Sequence, residues 1–259
     1  MSLEERISRT IWRYTSRDWL ELSKVDVTIV GAGPAGLTAA KYLADRRFRV
    51  VVLERRLSFG GGIGGGGMLL HKVVLDKSAL KMLEDFRVKY VEDLEEGLYV
   101  VDSSELIAKL ASGAIDAGAK VVLGVQVEDV IYRDSPLRIE GVVIQWTAVA
   151  MSGLHVDPLF IASRAVVDCT GHDAEVVKVV SKKIPQAGLQ LVGESSAYAE
   201  VSERVVVERT GKLMPGLYVA GMSVAAVYGL PRMGPIFSAM LLSGRRVAEV
   251  VAEDLSRGV

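Results

Sequence analysis

Three glycines at fixed spacing, Gly31-x-Gly33-x-x-Gly36, constrain the fold of this chain more than any other feature of its sequence. They follow the apolar run 25–30, which predicts a β-strand, and they open a helical pattern that runs to about residue 46. In such a unit the first glycine permits the tight turn, the second admits a pyrophosphate to the backbone, and the third packs helix on strand. The segment predicts a Rossmann-type βαβ unit that binds a dinucleotide.

The second predicted strand, residues 49–53, ends at a carboxylate that indicates which dinucleotide fits. Glu54 stands where an acidic side chain accepts hydrogen bonds from the ribose diol of a dinucleotide. A 2′-phosphate at that point would be repelled by the carboxylate. The pattern therefore favours NAD, or the adenosine part of FAD, over NADP.

The remaining patterns predict one α/β domain over residues 1–259, with a Rossmann-like fold of glutathione-reductase type and an antiparallel β meander inserted at about 125–150. Residues 60–67 are almost all glycine, which excludes a helix or a central strand there. Asp102, with Glu105 three residues on, predicts the start of a helix that runs to 117. Further predicted elements are strands at 120–123, 165–168 and 216–220 and a closing helix at 238–255.

Residues 3–22 predict an N-terminal helix that has no place in a Rossmann core. Its apolar side chains include Ile7, Ile11, Trp12 and Leu20, roughly on one side. Two interpretations stay open: the helix covers its own domain, or it packs on a neighbouring subunit.

Composition narrows the class of protein. The chain has 31 basic and 32 acidic residues, well mixed, which gives no support to a nucleic-acid or anionic-membrane partner. The one long uncharged stretch, 213–231, is interrupted by glycines and prolines and predicts strand, turn and loop rather than a membrane span. A single cysteine, Cys169, excludes an intrachain disulfide and suits a reducing cytoplasm. We expect Cys169 to be a small buried thiol and the protein to be cytoplasmic.

The predicted scaffold is similar to that of flavoproteins of glutathione-reductase type, but one group differs. In those proteins the closing strand usually ends in Gly-Asp, and the aspartate holds the flavin. Here Gly221 is followed by Met222, whose thioether is only a weak acceptor. An FAD-dependent oxidoreductase remains an alternative, which a yellow purified protein would favour.

Two short segments contain candidate metal ligands. His155 and Asp157 follow the predicted meander, and His172 follows the predicted strand at 165–168. Asp157 and His172 thus both lie where a predicted strand gives way to a loop, so the two side chains could meet above the sheet. A carboxylate and an imidazole with open positions suit Fe²⁺. The ordinary alternative is that His172 caps a turn and Asp157 forms an Asx-turn before Pro158.

Two other polar residues have competing interpretations. Arg232 stands between glycines and prolines, where a rigid loop would aim its guanidinium at a carboxylate or phosphate; the alternative is a surface arginine on a tight turn. We expect His71 to be an ordinary packed or surface histidine.

Six motifs together resemble the thiamine thiazole synthase family: GAGPAGL from Gly31, Glu54-Arg55, GGGIGGGGMLLHKVV from Gly60, HVDP from His155, TGHD from Thr170 and GLPRMGPIF from Gly229. The resemblance implies an enzyme of thiamine biosynthesis for which NAD is a substrate. Nicotinamide is lost, the ADP-ribose isomerises to a ketone and condenses with glycine, and sulfur is added to give an ADP-thiazole carboxylate. The segment Gly61-Gly62-Ile63-Gly64 departs from relatives that commonly have a tryptophan there.

One position indicates the subtype. Where fungal and plant members have a cysteine that gives up its own sulfur, this chain has His155, as in archaeal members that use free sulfide and ferrous iron. The resemblance implies iron ligation by Asp157 and His172 and binding of the glycine carboxylate by Arg232. His155 is the candidate proton shuttle, since imidazole titrates near neutral pH. Implied contacts to NAD or to the adenylated intermediate, besides the three motif glycines, are Ala35, Glu54, Arg55, Gly62, Val127, His155, Asp157 and Met222.

The resemblance also implies a ring-shaped homo-octamer whose sites are shared between adjacent subunits. Residues 3–22 then serve assembly. Two further alternatives are kept: a sugar-bisphosphate isomerase, which the NAD-selecting Glu54 disfavours, and a non-enzymatic protein that binds NAD without turnover.

Overall fold

The structure is a computed structural model, and it describes residues 1–258. The strands in this part of the chain are β1 Lys24–Val30, β2 Val50–Glu54, β3 Lys72–Leu75, β4 Val91–Asp93, β5 Leu98–Asp102, β6 Lys120–Leu123, β7 Val125–Asp134, β8 Leu137–Trp146, β9 Leu159–Asp168, β10 Gly211–Met214 and β11 Leu217–Val219. The helices are α1 Leu3–Leu22, α2 Pro34–Ala44, α3 Leu80–Asp85, α4 Ser103–Asp116, α5 Thr147–Ser152, α6 Glu175–Lys183, α7 Ala199–Arg209, α8 Met222–Tyr228 and α9 Ser238–Ser256.

The main sheet has a parallel centre in the order β11-β9-β1-β2-β6, with β10 antiparallel at the β11 edge. The last residues of the central strands lie side by side: Val30 pairs with both Leu53 and Asp168, and Asp168 pairs with Val219. The segments that follow these strands therefore leave the sheet at one edge. In open α/β sheets this carboxyl edge is where ligands bind.

The antiparallel part of the sheet is attached to β9. Strands β7 and β8 form a hairpin, and residues 141–144 of β8 pair with residues 159–162 of β9. A second, three-stranded sheet has the order β3-β5-β4.

The central strands are buried on both faces, which is why they read as unbroken apolar runs. In β2, Val50 and Val52 join a core formed with α2, α4 and α9, whereas Val51 and Leu53 join a core formed with the β7–β8 hairpin, α6 and α8. This alternation is the two-residue period of a strand. It gives the sheet a covering layer on each side.

Several predicted elements are confirmed. The helix at 3–22, the first βαβ unit and the strand at 120–123 are present, although α2 ends at Ala44, slightly before the predicted residue 46. Asp102 caps α4 as predicted, since its carboxylate accepts from the backbone N–H groups of Ser104 and Glu105. The glycine-rich stretch contains only a short 3₁₀ turn, Ile63–Gly65.

Other predictions were wrong in their bounds or type. Residues 147–150, expected in the meander, belong to α5, where the polar–apolar alternation stops and Gly153 (φ 69°) ends the helix. The stretch expected to be strand, turn and loop contains α8, a small-residue segment bounded by Gly221 and Gly229. Strand β9 begins at Leu159, earlier than the predicted residue 165.

Helix α1 does not cover its own domain. Its predicted apolar side chains are exposed, with 70% of Trp12 and 75% of Leu20 open to solvent. The end of the helix is anchored by Trp19, whose ring packs edge-on against Trp146 at 5.5 Å between centroids. None of the helices in residues 1–258 is long and apolar enough to cross a membrane.

Candidate functional site

A cleft of about 800 Å³ opens at the carboxyl edge of the main sheet. It brings together most residues that the sequence singled out. Those that line it are Gly31, Gly33, Ala35, Glu54, Arg55, Gly62, Val127, His172, Met222 and Arg232.

The glycine motif occupies one wall, and each glycine has a different steric reason. A Cβ on Gly31 (φ +105°) would lie 2.4 Å from the carbonyl oxygen of Cys169, and a Cβ on Gly36 would lie 2.1 Å from that of Gly31. These two positions pack loop, helix and β9 together, and Gly36 is outside the cleft lining. Gly33 has open space where a Cβ would point. It precedes Pro34, the first residue of α2, so an anion in the cleft meets a helix N-terminus.

Glu54 is buried at the end of β2 and is bonded on both carboxylate oxygens. Oε2 accepts from the backbone N–H of Ala32 at 2.9 Å, and Oε1 accepts from that of Arg56, also at 2.9 Å. Each oxygen retains a further lone pair, so the carboxylate ties the glycine loop to β2 and still presents an acceptor to the cleft. Next to it, Arg55 Nη1 contacts Glu175 Oε1 at 2.5 Å.

His172 lies on the turn after β9, and this turn is fixed by a buried carboxylate. Asp168 Oδ1 accepts from the backbone N–H and hydroxyl of Thr170 and from the hydroxyl of Ser223 on α8. The Ser223 hydroxyl also accepts from the N–H of Gly171, at 3.0 Å. The position of His172 is therefore determined by contacts to both β9 and α8.

Behind the lining residues His172 and Arg232 lies a charged group that the sequence did not reveal. Glu194 contacts His172 Nδ1 through Oε1, and its Oε2 lies 3.5 Å from Arg232 Nε. The Glu194 side chain is only 13% exposed, against 54% for His172 and 62% for Arg232. Glu194 stands in an irregular segment with no motif around it, so no local signal could have identified it.

Cys169 is buried at the start of the same turn, as predicted. Burial raises the pKa of its thiol well above the ordinary value, and the charge of Asp168 raises it further. A thiol held in this way is neither a nucleophile nor a metal ligand at neutral pH, because both roles need the thiolate.

The expectation that Asp157 and His172 meet above the sheet was wrong for a single chain. Asp157 precedes β9 and His172 follows it, and the ten residues of this strand span about 33 Å. His155 and Asp157 lie on an exposed segment and do not line the cleft. Within residues 1–258, no three His, Cys, Asp or Glu side chains form a group that could hold a metal ion. His71, which was expected to be an ordinary packed or surface histidine, is exposed on the surface.

The chain is similar to known proteins over nearly its whole length. It is 61% identical to the thiamine thiazole synthase of Pyrobaculum calidifontis, over 98% of this chain and 97% of that protein. It is also 61% identical to the enzyme of the same name from Archaeoglobus fulgidus, over 98% and 96%.

Solved structures agree. The crystal structure of Thermovibrio ammonificans THI4 has a TM-score of 0.94 at 41% identity, and the match covers 99% of each chain. A geranylgeranyl bacteriochlorophyll reductase-like protein from Thermoplasma acidophilum has a TM-score of 0.61 at 16% identity, covering 91% of this chain and 79% of that one. The second likeness shows only a shared fold.

A family model described as "Thi4 family" matches residues 8–237. This match and the identity to the curated relatives cover the cleft, the glycine motif and the turn that carries His172. The chain therefore belongs to the Thi4 family of thiamine thiazole synthases.

Proposed function

We propose that this enzyme of thiamine biosynthesis converts NAD, glycine and sulfide to an ADP-thiazole carboxylate, with ferrous iron as its metal. The observation that carries the proposal is the composition of one cleft. The glycine loop, Glu54, the imidazole of His172 and the guanidinium of Arg232 all line it. The fold is proposed to be a single domain of glutathione-reductase type, with the β7–β8 hairpin as the start of its inserted meander.

In this proposal NAD binds along the glycine loop and Glu54. The ribose of its adenosine lies at Glu54, and its pyrophosphate lies over Gly33 and the N-terminus of α2. Ala35, Gly62 and Met222 line the path of the dinucleotide beyond the loop. Arg55 and Val127 complete the contacts proposed from the sequence.

In this proposal the carboxylate of glycine binds to Arg232. The side chain is 62% exposed, and its Nε faces Glu194, which leaves the two Nη groups for a carboxylate. Held in this way, the amino group of glycine can point to the ketone formed from the ADP-ribose. His172 is connected to Arg232 because Glu194 contacts both side chains.

The imidazole of His172 fits a role as metal ligand. Its Nδ1 is engaged by Glu194, and its Nε2 makes no hydrogen bond within residues 1–258. With a carboxylate as second ligand this is the mixed nitrogen–oxygen donor set that Fe²⁺ accepts. Ferrous iron bound there supplies affinity for sulfide and Lewis acidity toward carbonyl and imine groups.

Sulfur comes from free sulfide in this proposal. His155 occupies the position that is a sulfur-donating cysteine in other family members, and Cys169 is buried as a thiol. His155 is proposed to carry protons between solvent and the reacting groups, because imidazole titrates near neutral pH.

The second metal ligand, Asp157, must come from a neighbouring subunit, because the length of β9 separates it from His172 in its own chain. Exposed apolar residues lie near it in sequence, among them Met151, Leu154 and Phe160. Exposed large apolar side chains that cluster in this way are typical of an interface. Together with the exposed face of α1, these side chains support a homo-octamer with shared sites.

Mixed assemblies test the sharing of sites. We would dissociate Asp157→Ala and His172→Ala proteins, mix them in equal amounts and reassemble them. If each site takes Asp157 from one chain and His172 from the next, about a quarter of the sites in a random mixture regain both residues. Activity in the mixture but in neither parent supports the shared site. An inactive mixture that has reassembled refutes it.

The reaction itself is tested by anaerobic incubation with NAD, glycine, sulfide and Fe²⁺, followed by mass spectrometry of the small molecules. More than one adenylated thiazole carboxylate per chain, lost in Asp157→Ala and His172→Ala, is the expected result. Release of nicotinamide without a thiazole would contradict the choice of sulfide or iron. Unconsumed NAD in a folded, iron-loaded protein would overturn the whole proposal.

A further inference from the structure

A buried carboxylate connects the two exposed functional side chains of the cleft. One oxygen of Glu194 contacts Nδ1 of His172, and the other lies 3.5 Å from Nε of Arg232. Oε2 is buried and makes no hydrogen bond in residues 1–258, so the ion pair with Arg232 is its compensation. Removing either partner would leave a buried charge poorly compensated, which is costly.

The backbone holds Glu194 in this position from both sides. The N–H of Ser195 donates to the carbonyl of Leu230 at 3.0 Å, and the N–H of Tyr198 donates to the carbonyl of Arg232 at 3.0 Å. Just before it, the N–H of Gly193 donates to the carbonyl of Ala226 at 2.8 Å. The segment with Glu194 and the loop with Arg232 therefore form one unit.

The contact to His172 determines which ring nitrogen is available. An ionised carboxylate can only accept, so Nδ1 carries the proton and Nε2 keeps its lone pair. Carboxylate–histidine–metal arrangements of this kind orient the ring and raise its basicity. Without the carboxylate, the half-exposed ring of His172 is free to rotate or to take the other tautomer.

We propose that Glu194 is a positioning residue which fixes His172 for metal binding through Nε2 and aims Arg232 at the carboxylate of glycine. This inference rests on the proposed function, since it assigns the metal to His172 and glycine to Arg232. It adds a physical link between the two subsites. One carboxylate sets the tautomer of the first side chain and the direction of the second.

The experiment compares Glu194→Ala and Glu194→Gln in the assembled full-length protein. Glu203→Gln is the matched control, because Glu203 is also a largely buried carboxylate but lies outside the cleft. Anaerobic calorimetry with Co²⁺ alone measures the affinity for the metal, and calorimetry with NAD alone measures the affinity for the dinucleotide. Initial rates at saturating metal give kcat and KM for glycine.

We expect Glu194→Ala to weaken Co²⁺ binding by about 10- to 100-fold, the usual effect of losing such a partner, with NAD affinity unchanged. Glu194→Gln retains an oxygen that accepts from Nδ1 but loses the charge that faces Arg232. It should therefore lose less Co²⁺ affinity than Glu194→Ala and show a raised KM for glycine. Glu203→Gln should match the wild type in all three measurements.

The outcomes separate this inference from the proposed function. If the wild type fails to bind Co²⁺, the metal site itself is wrong. If the wild type binds Co²⁺ and Glu194→Ala binds it equally well, with an unchanged KM for glycine, only the role of Glu194 is refuted. If Glu194→Gln loses as much affinity for NAD as it loses for Co²⁺, the substitution disrupts the cleft in general, and this result would also refute a positioning role.

Discussion

Two alanine substitutions in the glycine motif should separate ligand binding from folding. In Gly33→Ala the new methyl group meets no atom within 4 Å and the backbone angle, φ −79°, suits any residue. In Gly36→Ala the methyl group would lie 2.1 Å from the carbonyl oxygen of Gly31 and 3.3 Å from the Cβ of Cys169. The first methyl group points into open space, whereas the second requires α2 to move away from the loop.

The magnitudes follow from these contacts. Overpacking of a well-packed position costs about 1–3 kcal/mol, so Gly36→Ala should lower the free energy of unfolding by that amount. Gly33→Ala should change it by less than about 1 kcal/mol, because alanine is a poorer N-cap than glycine but restricts the unfolded chain. A methyl group between backbone and pyrophosphate breaks a hydrogen bond to a charged group, worth about 1.5–3 kcal/mol. The Kd for NAD should then rise by about tenfold or more.

Urea denaturation and calorimetry with NAD, on both variants and the wild type, measure the two effects. The expected pattern is weak NAD binding with ordinary stability in Gly33→Ala, and reduced stability in Gly36→Ala. Wild-type affinity in Gly33→Ala would refute the placement of the pyrophosphate over Gly33. A large loss of stability in Gly33→Ala would refute the claim that its side-chain direction is open.

Two further predictions concern titratable groups. Burial raises the pKa of Glu203 from 4.5 to about 7, so the native state holds this proton more tightly than the unfolded state. The resulting stability is fully present below pH 4.5 and is lost as the pH rises through 7, by ~3 kcal/mol in all. Between pH 5 and 8 the free energy of unfolding should therefore fall less in Glu203→Gln than in the wild type, and equal slopes would contradict this. The Cys169 thiol should resist iodoacetamide at pH 8 until the protein is unfolded, and the chain should keep its intact mass after turnover; loss of the mass of hydrogen sulfide would show that the protein supplies the sulfur.

The parts of the fold that the sequence predicted are those determined by neighbouring residues. The βαβ unit follows from an apolar run and three glycines, and the start of α4 follows from the capping side chain of Asp102. Helix α6 was not predicted, because it begins after Ala174 in a left-handed conformation (φ 40°) with no side-chain cap. A helix without a local start signal cannot be identified from local rules.

The same distinction holds in the cleft. Residues of the glycine motif and Glu54 reach it because they directly end or follow parallel strands, which must finish at one edge. Glu194 acts through two residues that are distant from it in sequence, His172 and Arg232. Its role depends on how two loops are bonded to each other, and no spacing rule encodes that.

The separation of Asp157 from His172 shows why the sequence alone wrongly predicted that the two side chains meet within one chain. The sequence suggested proximity because each residue lies where a predicted strand gives way to a loop, and the strand before His172 was predicted to span only residues 165–168. The strand is ten residues long, with Asp157 before its first residue and His172 after its last, so the two side chains lie at opposite ends of the strand. Asp157 lies in a segment with exposed apolar side chains. His172 lies in the cleft, and its Nε2 makes no hydrogen bond within residues 1–258. In the proposed function the two half-sites complete each other between chains, so the proposed chemistry would require assembly of the subunits.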